Sequence, residues 1–328
     1  MLSRRLVVSA LAATAAASRS RRARAARERT LRIGYLLSTD SQLGAGATAM
    51  AEELAKRTQG RIRLQQFPDA ALGGEVEMLK AVQLGTVDLA FITGAPLPNI
   101  LPEAGIFDIP FLFRSPEHAH AVLDSPIGDT YRQRFAAKDL VALAWGENGM
   151  RHITNDRHPI AKAGDLQGLK LRLPQSDVML AGFKALGASV APLPFPQLYE
   201  ALRAGTFDGQ ENPIATILAA KFSQVQKYLT LSGHVYDPAL MVMSPDVFDD
   251  LSPNDKAAIT AAARVGAAAS RKVAAEAQHG GVAALQALGM QVTTDIDRPS
   301  FTAALAAANL EFERQFGKAE IDRIRRFT

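Results

Sequence analysis

A strand–helix–strand alternation that runs through the chain twice is the feature that most limits its fold. The first pass predicts strands over 31–37, 61–67 and 88–92, separated by helices over 45–58 and 72–84 that stop at Gly60 and Gly85. The second predicts strands over 169–173 and 188–191 and a short one before Glu211-Asn212-Pro213, separated by helices over 177–186 and 196–204. Strands joined through helices lie parallel, in a sheet covered by helices on both faces. Both passes contain a helix end, Gly-Thr, one apolar residue and Asp: Leu84-Gly85-Thr86-Val87-Asp88 and Ala204-Gly205-Thr206-Phe207-Asp208. Two similar α/β units imply two lobes facing each other across a cleft. In such sheets ligands collect beyond the carboxyl ends of the strands.

The segments around these units complete the plan. Residues 94–114 are rich in Pro and Gly and read as a long loop, and Ser115-Pro116 and Ser125-Pro126 each open a helix. A strand over 140–145 is interrupted by Gly146-Glu147-Asn148-Gly149 and resumes over 150–154. Strands over 228–232 and 239–244 cross back between the lobes. The cap Ser252-Pro253-Asn254-Asp255 starts an Ala-rich helix that reaches about His279 and is broken by Gly280-Gly281. It is long enough to bridge both lobes. A last strand over 291–294 and helices over 300–326 end the chain. The expected fold class is therefore α/β, two-lobed and periplasmic-binding-protein-like, with mostly parallel sheets and a long helix bridging both lobes. The expected division is a leader over 1–30, lobe I over 31–148 plus about 237–265, and lobe II over 149–236 plus about 266–328.

The leader has Arg4 and Arg5 ahead of a weakly apolar, Ala-rich stretch over 6–17. Ser3-Arg4-Arg5-Leu6-Val7 resembles a twin-arginine export signal, and Ala23-Arg24-Ala25 offers a small-residue cleavage site. The arginines after the apolar stretch are atypical of such signals; an uncleaved Arg/Ala-rich tail is the alternative. The leader holds eight Arg and one Glu, while the whole chain stands at +4, so residues 31–328 stand at −3. That balance gives no electrostatic case for nucleic acid. Zero cysteines exclude disulfides, thiolate metal sites and Cys nucleophiles. No apolar run of about 18 residues or more suggests a membrane-spanning helix.

Catalytic and cofactor signatures are missing. The sequence has no phosphate loop, no Gly-x-Gly-x-x-Gly after a strand, no His-Glu-x-x-His and no Gly-x-Ser-x-Gly elbow. The six His lack metal-pair spacing. Four other residues point to an anion site. Leu169, Leu171 and Leu173 alternate with Arg172, which therefore faces away from them at a strand end. Arginine keeps its charge and offers a planar fork that matches the two oxygens of a carboxylate. Arg151 lies on a strand beside Gly149, Asn212 precedes Pro213, and Phe195 is held between Pro194 and Pro196. Taken singly, each has a plainer reading: the arginines as solvated strand residues, Asn212 as a helix cap, Phe195 as core.

Several spaced segments together resemble the solute-binding proteins of tripartite ATP-independent periplasmic (TRAP) transporters, of the DctP type. They are Ala71-Leu72-Gly73-Gly74-Glu75 with Met78-Leu79, Asn148-Gly149-Met150-Arg151, 165–174 with Gly168-Leu169-Lys170-Leu171-Arg172-Leu173-Pro174, 195–202, and Asp208-Gly209-Gln210-Glu211-Asn212-Pro213. The resemblance covers about residues 31–328. It implies that Arg172 makes the main ion pair with a ligand carboxylate, Arg151 is a second arginine at the pocket, and Asn212 bonds the same carboxylate. It further implies that Phe195 is an aromatic wall and that Glu75 and Thr93 face the ligand's distal end. Thr93 stands where the sialic-acid branch has an acidic residue, and the Trp-containing variant of the Asn212 segment tied to keto acids is absent. The same resemblance implies an exported, monomeric, periplasmic protein without cofactor. It would capture a small carboxylate, a C4-dicarboxylate or a sugar acid, for the TRAP membrane permease subunits. The alternative is an enzyme, a lyase or hydrolase of acidic substrates, on the same scaffold.

Overall fold

The computed structural model describes residues 28–328. Most of the leader lies outside the described residues, but Arg29 and Thr30 already belong to the first strand. The strands are β1 (Arg29–Tyr35), β2 (Ile62–Phe67), β3 (Leu89–Thr93), β4 (Val141–Asn155), β5 (Lys170–Leu173), β6 (Ser189–Pro192), β7 (Gly209–Pro213), β8 (Tyr228–Met243) and β9 (Gln291–Thr293). They form one nine-stranded sheet in the order β2-β1-β3-β8-β4-β7-β5-β6, with β9 alongside β8. Pairs β1–β2, β1–β3, β5–β6, β5–β7 and β8–β9 are parallel, while β3–β8, β4–β7 and β4–β8 are antiparallel.

Two strands differ from the sequence expectation. The stretch 140–154 does not break at Gly146–Gly149; β4 runs on for 15 residues. Likewise 228–244 is one strand of 16 residues, not two. The Gly and Pro residues that read as breaks are absorbed by bulges, with the register slipping between Glu147 and Gly149. Pro238 has no N–H to give and sits opposite Glu147 at that slip. The two long strands thus cross from one half of the sheet to the other, and their irregular midpoint is where the halves join.

The two faces of the sheet are packed differently. On one face a single apolar cluster runs under both halves, from Met78, Ile92 and Phe107 through Trp145 to Leu171, Leu173, Phe183 and Phe301. On the other there are two clusters. One contains Ile33, Leu43, Phe91, Met241 and Ile259, the other Leu198, Ile214, Ile217, Phe222 and Leu285. A sheet continuous below and divided above leaves a seam between the two upper clusters. Leu171 and Leu173 point to the continuous core, so the alternation of β5 turns Arg172 to the divided face.

The helix Pro253–Ala287 spans that seam. It has 35 residues and passes straight through Gly280-Gly281, at ~1.5 Å per residue about 50 Å long. Its glycines serve close approach. A Cβ on Gly266 would stand 2.5 Å from the backbone oxygen of Gly46 in the helix Gln42–Arg57, and one on Gly281 would stand 2.5 Å from Ile214 Cγ2. Gly280 would meet nothing within 4 Å. Gly280→Ala should therefore stabilise the fold by roughly 0.5–1 kcal/mol through helix propensity. Gly266→Ala should destabilise it by roughly 1–3 kcal/mol through overpacking. Urea unfolding of both variants checks this; equal effects would remove the close-approach argument.

Candidate functional site

Arg172 is 3% exposed, at the divided face. Its Nε and Nη2 both donate to the carbonyl oxygen of Leu193, at 2.8 and 2.5 Å. Among the described residues no carboxylate is within ion-pair distance of it. Burial pushes its pKa down, to about 9, with the field of Glu211 opposing, that of Arg151 adding, and that of Glu75 opposing. The group remains charged at neutral pH. A desolvated cation satisfied only by one carbonyl is costly unless an anion joins it.

The neighbouring groups come from both halves. Gln210 is the register partner of Arg172, and Asn212 lies two residues further along β7, on the same face. Asn212 Nδ2 donates to Gln210 Oε1 at 2.5 Å, and its Oδ1 accepts from Arg151 Nη2 at 3.2 Å. From the first half, Glu75 opens the helix Glu75–Gln83, and its two oxygens accept from the backbone N and Oγ1 of Thr93 at 2.6 and 2.9 Å. Burial raises the Glu75 pKa to about 7, against the two bonds from Thr93. Phe195 is half-buried and packs against both upper clusters, its ring 5.9 Å from that of Phe222. Next to it, Pro194 lies 3.9 Å from where a Cβ on Gly74 would be, so the loop that accepts from Arg172 touches the turn that presents Glu75. A depression of about 350 Å³ lined by Asn99, Pro102, Gln175 and Pro192 opens beside the ends of β5 and β6 without reaching Arg172. Asn99 Nδ2 donates to Gln175 O at 2.8 Å and Ser176 Oγ to Asp108 Oδ2 at 2.6 Å, which closes that side.

Arg151 is built in differently. It lies between two carboxylates, with Nε donating to Glu211 Oε2 at 2.5 Å, Nη2 to Glu211 Oε1 at 2.8 Å, and Nη1 to Asp237 Oδ2. All three side chains are buried. Glu211 is held below the ordinary range: burial would raise it, and Arg151 and His234 outweigh that. Asp237 is raised by burial, with Arg151 opposing. Its oxygens also accept from Gly94 N at 2.8 Å and Asn148 Nδ2 at 2.7 Å. Asn148 Oδ1 in turn accepts from Gln42 Nε2 at 2.7 Å and Thr216 Oγ1 at 3.1 Å. The network therefore ties β3, β4, β7, β8 and the helices at Gln42 and Thr216 together at the strand crossing.

Of the six residues singled out in the sequence, the structure joins Arg151 to Asn212 and Glu75 to Thr93, and puts Arg172 within the fields of Arg151 and Glu75. The sequence reading missed Gln42, Asp237 and Gln210. Asp237 had a signal: an acidic residue inside the apolar run 235–242 must be buried and paired. Gln42 had none.

A cation held at the seam of two α/β halves, with polar groups converging from each, defines a bilobed solute-binding protein. The chain belongs to family 7 of the bacterial extracellular solute-binding proteins, the DctP family of TRAP transporters, whose model matches residues 33–315. It is 48% identical over 303 residues to a solute-binding protein of Verminephrobacter eiseniae, covering 92% of this chain and 90% of that one. It is 39% identical over 277 residues to the 2,3-diketo-L-gulonate-binding periplasmic protein YiaO of Escherichia coli, covering 84% of each. Among solved structures, a TRAP periplasmic solute-binding protein from Polaromonas sp. JS666 bound to D-erythronate superposes with a TM-score of 0.91 at 46% identity, over 92% of this chain and 99% of that one. The two-lobed α/β expectation is borne out.

Proposed function

We propose that this protein captures a small organic acid in the periplasm by an ion pair between Arg172 and the acid's carboxylate, and delivers it as a monomer to the membrane subunits of a TRAP transporter. The observation that carries the reading is the buried Arg172 guanidinium, whose protein partner is a single carbonyl oxygen. Asn212 completes the carboxylate subsite with its remaining amide hydrogen. Arg151 holds Asn212 in place and contributes its field. Phe195 supplies the wall, and Glu75 and Thr93 face the far end. Relatives solved with D-erythronate or named for binding 2,3-diketo-L-gulonate support a sugar acid or short carboxylate as the ligand.

The mechanism is closure around the bound anion. With the lobes apart, water screens the guanidinium. On closure the charge-assisted bonds strengthen in a drier site. The ligand stabilises the closed form only by the extra affinity that form has for it. The test is a thermal-shift screen of the protein against organic acids, followed by recovery of the best ligand. A ligand-dependent rise in Tm with the acid returned unchanged is the expected result. Conversion of the acid would establish the enzyme alternative, and no shift with any acid would end the proposal.

A further inference from the structure

Gln42 is fully buried at the start of the helix Gln42–Arg57, and its Oε1 accepts no hydrogen bond. The orientation of its amide is dictated by its neighbours. Asp237 Oδ2 takes a bond from Arg151 and can only accept, so Asn148 must turn its Nδ2 toward it, at 2.7 Å. Asn148 then offers Oδ1 and its backbone O to Gln42, which must answer with Nε2, at 2.7 and 3.1 Å. Turning the Gln42 amide over would set its oxygen against both Asn148 oxygens, with only the Thr216 hydroxyl, 3.0 Å from Nε2, able to donate to it. Its Oε1 is thus an acceptor left open in the interior, at the crossing where the two upper clusters meet. Buried acceptors of this kind are nearly always satisfied.

The charged groups of the same network are weighted toward carboxylates. Arg151 is shared by two carboxylates, Glu211 and Asp237, and has no charge to spare. Glu75 has Thr93 as its hydrogen-bond partner and no cation in ion-pair contact among the described residues. One guanidinium, that of Arg172, is left to balance a ligand's charge, and Gln42 Oε1 can only accept.

We propose that Gln42 Oε1 reads a hydroxyl of the bound acid, and that the cleft selects polyhydroxylated monocarboxylates over dicarboxylates of the same length. This rests on Arg172 being the carboxylate anchor. A hydroxyl donates to an open acceptor; a second carboxylate cannot, and it repels Glu75 at a pH above about 7, where Glu75 is ionised.

Calorimetric titration of the intact protein at pH 8 tests this with four- to six-carbon acids in three forms: fully hydroxylated monocarboxylate, deoxy monocarboxylate and dicarboxylate. For four carbons these are erythronate, butyrate and succinate, with erythritol as the neutral control. The hydroxylated acid of the preferred length should bind ~10-fold or more tightly than its two counterparts. Gln42→Met should cancel most of its advantage over the deoxy acid while leaving the deoxy acid within about 3-fold. Equal binding of deoxy acid or dicarboxylate in the unmodified protein would overturn the inference and leave the anchor intact. A uniform loss across the panel in Gln42→Met would also overturn it, because the residue would then be holding Asn148 and its Oε1 would be met by water. Should Gln42→Met not fold, Glu75→Gln decides: dicarboxylate affinity should rise severalfold relative to the hydroxylated acid, and no rise counts against the proposal. If every acid binds no better than erythritol, the anchor and this inference fall together.

Discussion

Arg172→Ala should abolish ligand capture, and loss of the buried charge should not itself destabilise the unliganded protein. Truncating one side of a buried, hydrogen-bonded charge pair costs roughly 2–5 kcal/mol, about 30-fold to several thousandfold in Kd. Arg172→Lys should recover little of that, because an ammonium's three donors diverge tetrahedrally from one nitrogen and cannot reproduce the planar fork that meets Leu193 O and both carboxylate oxygens. The stability arm distinguishes this residue from ordinary core. In the unliganded protein the guanidinium is desolvated with no carboxylate beside it among the described residues. Arg172→Met keeps the volume and removes the buried charge, so its unliganded Tm should match or exceed that of the parent. Calorimetric titration and thermal unfolding of the three variants check both arms. Retained affinity in Arg172→Ala would place the anchor elsewhere.

What the sequence disclosed about this site depended on the range of the interactions. The facing of Arg172 follows from three alternating leucines, a pattern that needs only its own strand. The Glu75–Thr93 pair joins the start of a helix to the end of the next strand, within one α/β unit. The Arg151 network is different. Its carboxylate partners Glu211 and Asp237 are 60 and 86 residues away in the chain. Local patterning registers a charged residue on a strand and cannot show what neutralises it. The same limit explains β4 and β8. Gly146, Gly149 and Pro238 are breakers by local propensity, but each long strand pairs with the other through the slip, and those pairings override it. Gly280-Gly281 fails as a stop signal because Gly281 is needed for the approach to Ile214.

The second large effect has the opposite character. Arg151→Met should destabilise the protein by roughly 3–5 kcal/mol, since it leaves two buried carboxylates without their cation. In the parent, Glu211 is held below its ordinary pKa, so its contribution is present above the unfolded value and lost as the pH falls through the folded one. Removing Arg151 should reverse the sign. Burial alone would raise both Glu211 and Asp237, and each would then cost stability as the pH rises through the interval between its unfolded and folded pKa. The variant should accordingly be less deficient at pH 5 than at pH 8, measured by urea unfolding against the parent at each pH. Glu211→Gln combined with Arg151→Met should restore part of the loss by removing one uncompensated charge. A pH-independent deficit would mean that lost packing, not charge, is what Arg151 supplies. The two arginines are 21 residues apart in the chain. One is neutralised by the protein's own carboxylates and holds the crossing strands together, while the other waits for a carboxylate brought in by the ligand.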